Sequence, residues 1–519
     1  MSLQEKAYRG VGWSGLSGII ANGLELSKYI VLARILEPAD FGLLAMAMVI
    51  VGICRIFADG GTSNAVIHFR NQTGPQLSTL FWINILAGLS LYLLVFLSAP
   101  FFAAFYSEPE VTPLMRLGGL VLPLYAAGVL YEVKLRKSLS FRMITITEST
   151  SALFSFITAL VLALWGWGVY ALIWSHIVTA GTMALLYAAN GMRHWKPSFV
   201  FRPRDVVSHL RFGFFQMGER GLNVYATRID QLIIGRFFGP EILGAYHIAW
   251  QIVLFPVMRL SPLLNRVALP VFANRQDDDG ILRNGYLRLM SGVTALVTPF
   301  LLILAVSSPW LIPLLFGSGW NLTIQLVPLM AVLAFFRMLG SPSNNIVLSK
   351  GKAALAFYWA LLLAILNTGI FLIGAQFSIY VLLGLHTIGN ALYFIVGQRI
   401  MVNRLIDLTW IRFLSHLTPF LAALLIPWCG SWVLRNLASG VWPLSHLLDG
   451  KLGLTEATEA LLHAWQNVTI WYQHAVWGDA GMVIAIVTLF LILYLPVLWY
   501  FQSGLIREFM QALRPSGRS

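Results

Sequence analysis

The chain has 519 residues, 58% hydrophobic and only 11% charged, with a mean hydropathy of +0.75. Water-soluble domains carry roughly 25% charged residues, so the main solvent is lipid, and a soluble fold with this surface would aggregate. A net charge of +13 would in a soluble protein point to nucleic acid; here the basic residues sit in short stretches between apolar runs, which reads as topology signal and attraction to anionic headgroups, and no nucleic-acid motif occurs.

A membrane helix needs about 20 mostly apolar residues, and the sequence predicts an all-α polytopic membrane protein with about fourteen such spans. Met1 to Gly10 is short and polar, and the first span, 11–36, carries Glu25 and Lys28 with no A-x-A cleavage pattern after it. It is expected to be retained rather than processed. Spans at 41–66, 79–105, 114–133, 144–165 and 168–190 complete a first group of six. A second six follow at 209–236, 241–272, 284–307, 322–348, 353–376 and 378–399. Two more, 411–435 and 480–502, flank a long stretch at 436–479 that is rich in Trp and His. That stretch is expected to be external, with 455–476 as an amphipathic helix lying on the outer leaflet or as a docking surface for glycan or polymerase.

One set of loops holds the basic clusters, among them Lys134, Arg136 and Lys137, then Arg193, Lys196, Arg202 and Arg204, then Lys350 and Lys352. The alternate loops hold only Arg116, Arg236, Arg435 and Lys451. The positive-inside rule then puts both termini in the cytoplasm. Cys54 and Cys429 both fall in apolar spans, which excludes a disulfide framework and a cysteine-rich metal site.

The second half echoes the first. Arg34, Pro38 and Gly42 recur as Arg236, Pro240 and Gly244 at an offset of 202 residues, and Arg9 and Arg211 share it. Transporters are often built from two related halves with the substrate site between them. With six spans each, the halves should be parallel. The expected domains are a lobe at 1–205, a lobe at 206–405 and a C-terminal part at 406–519 holding two further spans.

Ionisable residues within spans cost about 2.5–3.5 kcal/mol at the bilayer centre on insertion scales and therefore face a cavity or a partner. Span seven carries Gln216, Arg220, Asn223, Thr227, Asp230 and Gln231 at helical spacing, with Glu219 and Arg228 beside them. That stripe should line water. Glu25 and Lys28 in span one, and Arg55 and Asp59 in span two, are spaced to pair with each other or to meet a substrate. Span eight adds His247, Gln251, Arg259 and Arg266, and span ten adds Arg337. These fifteen side chains (Thr227 and Gln231 aside) form the candidate substrate cavity. Excess arginine suits an anionic substrate, because guanidinium grips phosphate bidentately. No cofactor or metal is expected. Asp59, Glu219 and Asp230 are candidate sites for coupling to a proton or sodium gradient.

Three blocks carry a family resemblance: Ala33 to Ala45, Phe57 to Asn64, and Arg228 to Arg236 followed by Leu243 to Ala249. With Pro270 to Ala273, they resemble Wzx-type polysaccharide flippases, in the polysaccharide-transporter branch of the multidrug and oligosaccharidyl-lipid exporter superfamily, nearest its colanic-acid and xanthan exporters. Arg34, Asp59, Asp230 and Tyr246 sit on positions that pattern favours. The resemblance spans about residues 5–405. It implies two six-helix lobes around a cavity that opens alternately to each side of the bacterial inner membrane. Its implied cargo is an undecaprenyl-diphosphate oligosaccharide, its partners the membrane lipids and a periplasmic polymerase.

Three other classes compete, one of them a scaffold without transport, which the internal polar stripe disfavours. A drug or small-cation exporter of the same fold would favour unpaired acids over arginines. A membrane glycosyltransferase or polymerase would place catalytic acids in a large first external loop, here only Glu37 to Asp40. The run Asp277 to Asp279 lies among Arg275 and Arg283 and reads as a solvated loop. No Walker A pattern occurs. The expectation is a secondary transporter, not an enzyme.

Overall fold

The computed structural model describes residues 20–59, 61–69, 72–193, 195–274, 278–340, 342–417, 483–484 and 486–488, and every regular element among them is helical. In chain order they are α1 (20–32), α2 (Pro38–Phe57), α3 (Thr62–His68), α4 (Gly74–Tyr106), α5 (Val111–Gly118), α6 (Val121–Lys137), α7 (Phe141–Leu164) and α8 (Val169–Gly191). A 3-10 turn, Pro203–Val206, leads into α9 (Val207–Asn274), then α10 (Asp279–Phe316), α11 (Asn321–Gly340), α12 (Ser343–Ser349), α13 (Ala353–Gly374) and α14 (Ile379–Gly397). A π turn, Gln398–Asn403, and a last helix, α15 (410–417), follow.

Local chemistry explains the ends. Glu37 and Asp40 form a capping box at the start of α2, with Pro38 at the first turn. Thr73 and Gln76 do the same for α4, and the Asp278 carboxylate accepts the Ile281 N–H at 2.9 Å to start α10. α9 is two helices broken at Gly239, whose φ of 79° and ψ of −179° suit glycine. The break falls between expected spans seven and eight.

The expected span 41–66 is not one helix. Asp59 accepts the Gly61 N–H at 2.9 Å, Gly61 sits at φ 68°, and the Thr62 hydroxyl donates to the Asp59 carbonyl at 2.8 Å. This local side-chain turn competes with the helix and ends α2. Spans 114–133 and 322–348 each form one membrane-length stretch, Val111–Lys137 and Asn321–Ser349, made of α5 with α6 and α11 with α12. Nine helical stretches among the described residues are long and apolar enough to cross a membrane, making this a multi-pass membrane protein. α1 and α9, the charge-bearing spans one, seven and eight of the sequence reading, are not among the nine. Of the last two expected spans, 418–435 and most of 480–502 lie outside the described residues, as does 436–479.

The chain forms two compact units, one of residues 1–248 and 360–382, the other of 249–359 and 383–519. In the first, α7 lies along α8, α8 on α6, and α6 on α4. The outer face of α4 exposes Leu86, Leu93, Leu97 and Phe101, as an all-apolar helix bathed in lipid should. Lys137 Nζ donates to the carbonyls of Val66 and Phe69 at 2.8 and 2.7 Å and to Gln72 Oε1 at 2.8 Å, closing the end of α3 with a cation where the helix dipole favours one. In the second unit, Tyr286, Leu282, Ile346, Val402 and Phe413 form a buried core, and the Tyr286 hydroxyl donates to Gln398 Oε1 at 2.6 Å.

One packing contact lies on the repeat. A Cβ at Gly42 would strike the Pro240 carbonyl, and a Cβ at Gly244 would strike the Pro38 carbonyl. Pro38 and Pro240, and Gly42 and Gly244, are each 202 residues apart. The contact is therefore reciprocal, each proline carbonyl seated on the other segment's glycine. Small residues that let backbones touch are how helices associate tightly without a hydrophobic driving force.

Candidate functional site

The polar residues of α1, α2 and the first part of α9 belong to the first unit. Lys28 is 5% exposed. Its ammonium faces the hydroxyls of Ser155 at 3.4 Å and Ser175 at 3.5 Å, longer than a tight hydrogen bond, and lies 5.7 Å from the centre of the Tyr29 ring. Among the described residues no carboxylate lies within ion-pair distance of it. The pairing with Glu25 that helical spacing allowed is not made.

Arg55 and Asp59 do not pair either. The Arg55 guanidinium sits over the Tyr125 ring, 4.6 Å from its centre, while buried Asp59 uses its carboxylate to hold the α2–α3 turn. The Thr62 hydroxyl, at that turn, also reaches Asn84 Oδ1 at 3.0 Å on α4.

At the far end of the span-seven stripe, Asp230 and Gln231 are buried rather than open to water. The Tyr246 hydroxyl donates to Asp230 Oδ2 at 2.6 Å across the Gly239 break, and Gln231 N donates to Asp230 Oδ1 at 2.8 Å. Half-buried Arg228 donates to Gln231 Oε1 at 3.3 Å. His247 is buried, its ring 5.9 Å from that of Tyr29. Lys28 and Asp230, opposite in charge and both buried, stand 202 residues apart, the repeat offset.

Bonds to a charged acceptor are worth about 1.5–3 kcal/mol. Tyr246→Phe is therefore expected to destabilise the fold by about 2 kcal/mol, read as a lower melting temperature of the purified protein. Asp230→Asn keeps one acceptor but turns an NH2 toward the other donor, so it should cost at least as much.

Of the remaining predicted site residues, Glu25 is half-exposed, and Gln251 and Arg337 are half-buried in the second unit. Gln216, Glu219, Arg220, Asn223, Arg259 and Arg266 lie on the backbone of α9, and their side chains are outside the described residues. Sequence reasoning missed Tyr125, Ser155 and Ser175. The signal was a polar register on α7, Glu148, Ser151 and Ser155, and on α8, Ser175 and Thr179, at the same helical spacing that marked span seven. It also missed the ion pair of Glu132 with Arg136, 2.5 Å apart on α6.

Against known proteins, residues 31–325 match the family described as polysaccharide biosynthesis protein. The teichuronic acid biosynthesis protein TuaB of Bacillus subtilis is 29% identical over 358 residues, 69% of this chain and 74% of its own. The lipopolysaccharide biosynthesis protein WzxC of Escherichia coli is 30% identical over 379 residues, covering 73% and 77%. The solved lipid II flippase MurJ, in an inward closed conformation, superposes with a TM-score of 0.70 over 96% of this chain and all of its own, at 13% identity, a likeness of fold. Ordered sequence blocks and family match agree, and the chain belongs to the polysaccharide biosynthesis protein family, with WzxC among its relatives.

Proposed function

We propose that this chain is a secondary transporter that moves undecaprenyl-diphosphate-linked oligosaccharide units from the cytoplasmic to the periplasmic leaflet of the bacterial inner membrane by alternating access. The observation that carries the reading is Lys28: a buried cation on a helix of the family fold, with two hydroxyls at 3.4 and 3.5 Å, the Tyr29 ring at 5.7 Å, and no carboxylate within ion-pair distance among the described residues. A buried charge without close compensation is costly, and an arriving diphosphate would supply the missing anion. Arg55 and Arg228 extend the positive character along α2 and α9. Two six-span lobes, 1–205 and 206–405, two further spans in 406–519, and cytoplasmic termini are part of the same reading. The reciprocal contact of Gly42 and Gly244 and the shared offset support it. Asp59, Glu219 and Asp230 are the candidates for coupling to protons or sodium, and a periplasmic polymerase is the expected downstream partner.

Lipid analysis of a deletion strain tests the function. A lipid-linked oligosaccharide should accumulate on the cytoplasmic side and disappear on complementation. Unchanged lipid-linked pools with lost polymer would point instead to a later step. In the same assay Arg259→Gln with Arg266→Gln is expected to lower transport tenfold or more, about 1.4 kcal/mol, at normal expression. Full transport by that variant would remove both arginines from substrate binding.

A further inference from the structure

The connection between α8 and α9 is bound to the rest of the first unit along its length. Ser198 N donates to Ser78 Oγ at 3.1 Å, the Trp82 indole donates to the Ser198 carbonyl at 2.9 Å, and Arg202 N donates to Thr79 Oγ1 at 3.0 Å. Gln76 Nε2 reaches the Asp205 carbonyl at 3.2 Å. Trp195 tucks against Tyr131 and Phe81, with Lys134 Nζ 4.8 Å from its ring centre. Residues 195–205 are thus a strap laid over the first two turns of α4, built from donors and acceptors that a passive linker would not need.

What the strap turns outward is unusual for a face in water. Phe199 is 93% exposed, with its ring stacked on Trp82 at 5.2 Å, and Phe201 and Val207 are exposed beside it. Arg193, Lys196, Arg202 and Arg204 are all exposed, and among the described residues none has an ion-pair partner. Asp205 is the one acid between 192 and 206. The strap also lies where the apolar stretches 74–106 and 169–191 begin and end. Aromatic rings with cations beside them at that level match the headgroup zone, where rings enter the boundary and cations meet phosphate.

We propose that this strap is a binding shelf for anionic phospholipid, with Phe199 and Phe201 inserted at the acyl boundary and the four cations on headgroup phosphates. It anchors the junction of the two halves to the leaflet. It does not depend on which molecule the protein carries.

The test places a single bimane fluorophore at position 199 through Phe199→Cys in full-length protein carrying Cys54→Ser and Cys429→Ser. The labelled protein goes into nanodiscs of phosphatidylcholine with or without phosphatidylglycerol, either lipid bearing brominated acyl chains. Bimane should be quenched by bromolipid and shielded from iodide, and brominated phosphatidylglycerol should quench more than its molar share. Arg202→Gln with Arg204→Gln should reduce that preference about five-fold for each charge removed, with the protein still monodisperse. Iodide quenching without bromolipid quenching would overturn the proposal, as would equal quenching by the two lipids. Displacement of phosphatidylglycerol by added undecaprenyl diphosphate would also overturn it, assigning the strap to the transported lipid.

Discussion

Gly244→Ala is expected to reduce transport at least tenfold and to lower the melting temperature of the purified protein, and Gly42→Ala should do the same. The added methyl at Gly244 would collide with the Pro38 carbonyl and crowd Gly42 N, and the one at Gly42 would collide with the Pro240 carbonyl. The obstacles are backbone carbonyls of prolines at helix starts, so neither side can yield by changing a rotamer. Overpacking a tight contact costs about 1–3 kcal/mol, and 1.4 kcal/mol already shifts a conformational equilibrium tenfold. Gly23→Ala is the control: a Cβ there meets nothing within 4 Å, and alanine favours helix by about 1 kcal/mol over glycine. Its transport and stability should be unchanged or better. If Gly42→Ala and Gly244→Ala behaved like Gly23→Ala, the reciprocal contact would have no part in the working cycle.

Lys28→Met is expected to move stability and transport in opposite directions. Methionine fills nearly the same volume and has no charge to desolvate. Replacing buried charges by well-packed apolar residues is often neutral or stabilising, by about 1–4 kcal/mol, and here the hydroxyls of Ser155 and Ser175 stand too far off to compensate Lys28 well. The variant should melt at the same or a higher temperature. Transport of the lipid-linked unit in vesicles should fall tenfold or more, because the buried cation is then missing when the diphosphate arrives. Lys28→Arg keeps the charge but needs more room and should retain part of the transport. Loss of stability with full transport in Lys28→Met would make the lysine a structural post.

Hydropathy is a local quantity, and the apolar helices that rest on it were legible in the sequence. Twenty-residue apolar runs are helices in a solvent that cannot satisfy backbone groups, and the runs 79–105, 144–165 and 168–190 overlap α4, α7 and α8 closely. Turn chemistry is local too: Pro38 starts α2, and Gly239 and Pro240 mark the break in α9. Arg, Pro and Gly recur at one offset of 202 residues, and the structure brings the prolines and glycines of the two segments together. Which charges meet which partners was decided by tertiary structure alone. Helical spacing puts Glu25 near Lys28 and Arg55 near Asp59, but spacing says only which residues share a face. Lys28 turns to serines 127 and 147 residues further along, Arg55 lies over Tyr125, and Asp59 ends its own helix. A charge in low dielectric goes to whatever dipole, ring or hydroxyl the packing of distant helices brings within a few ångströms, and no pattern along one helix records that.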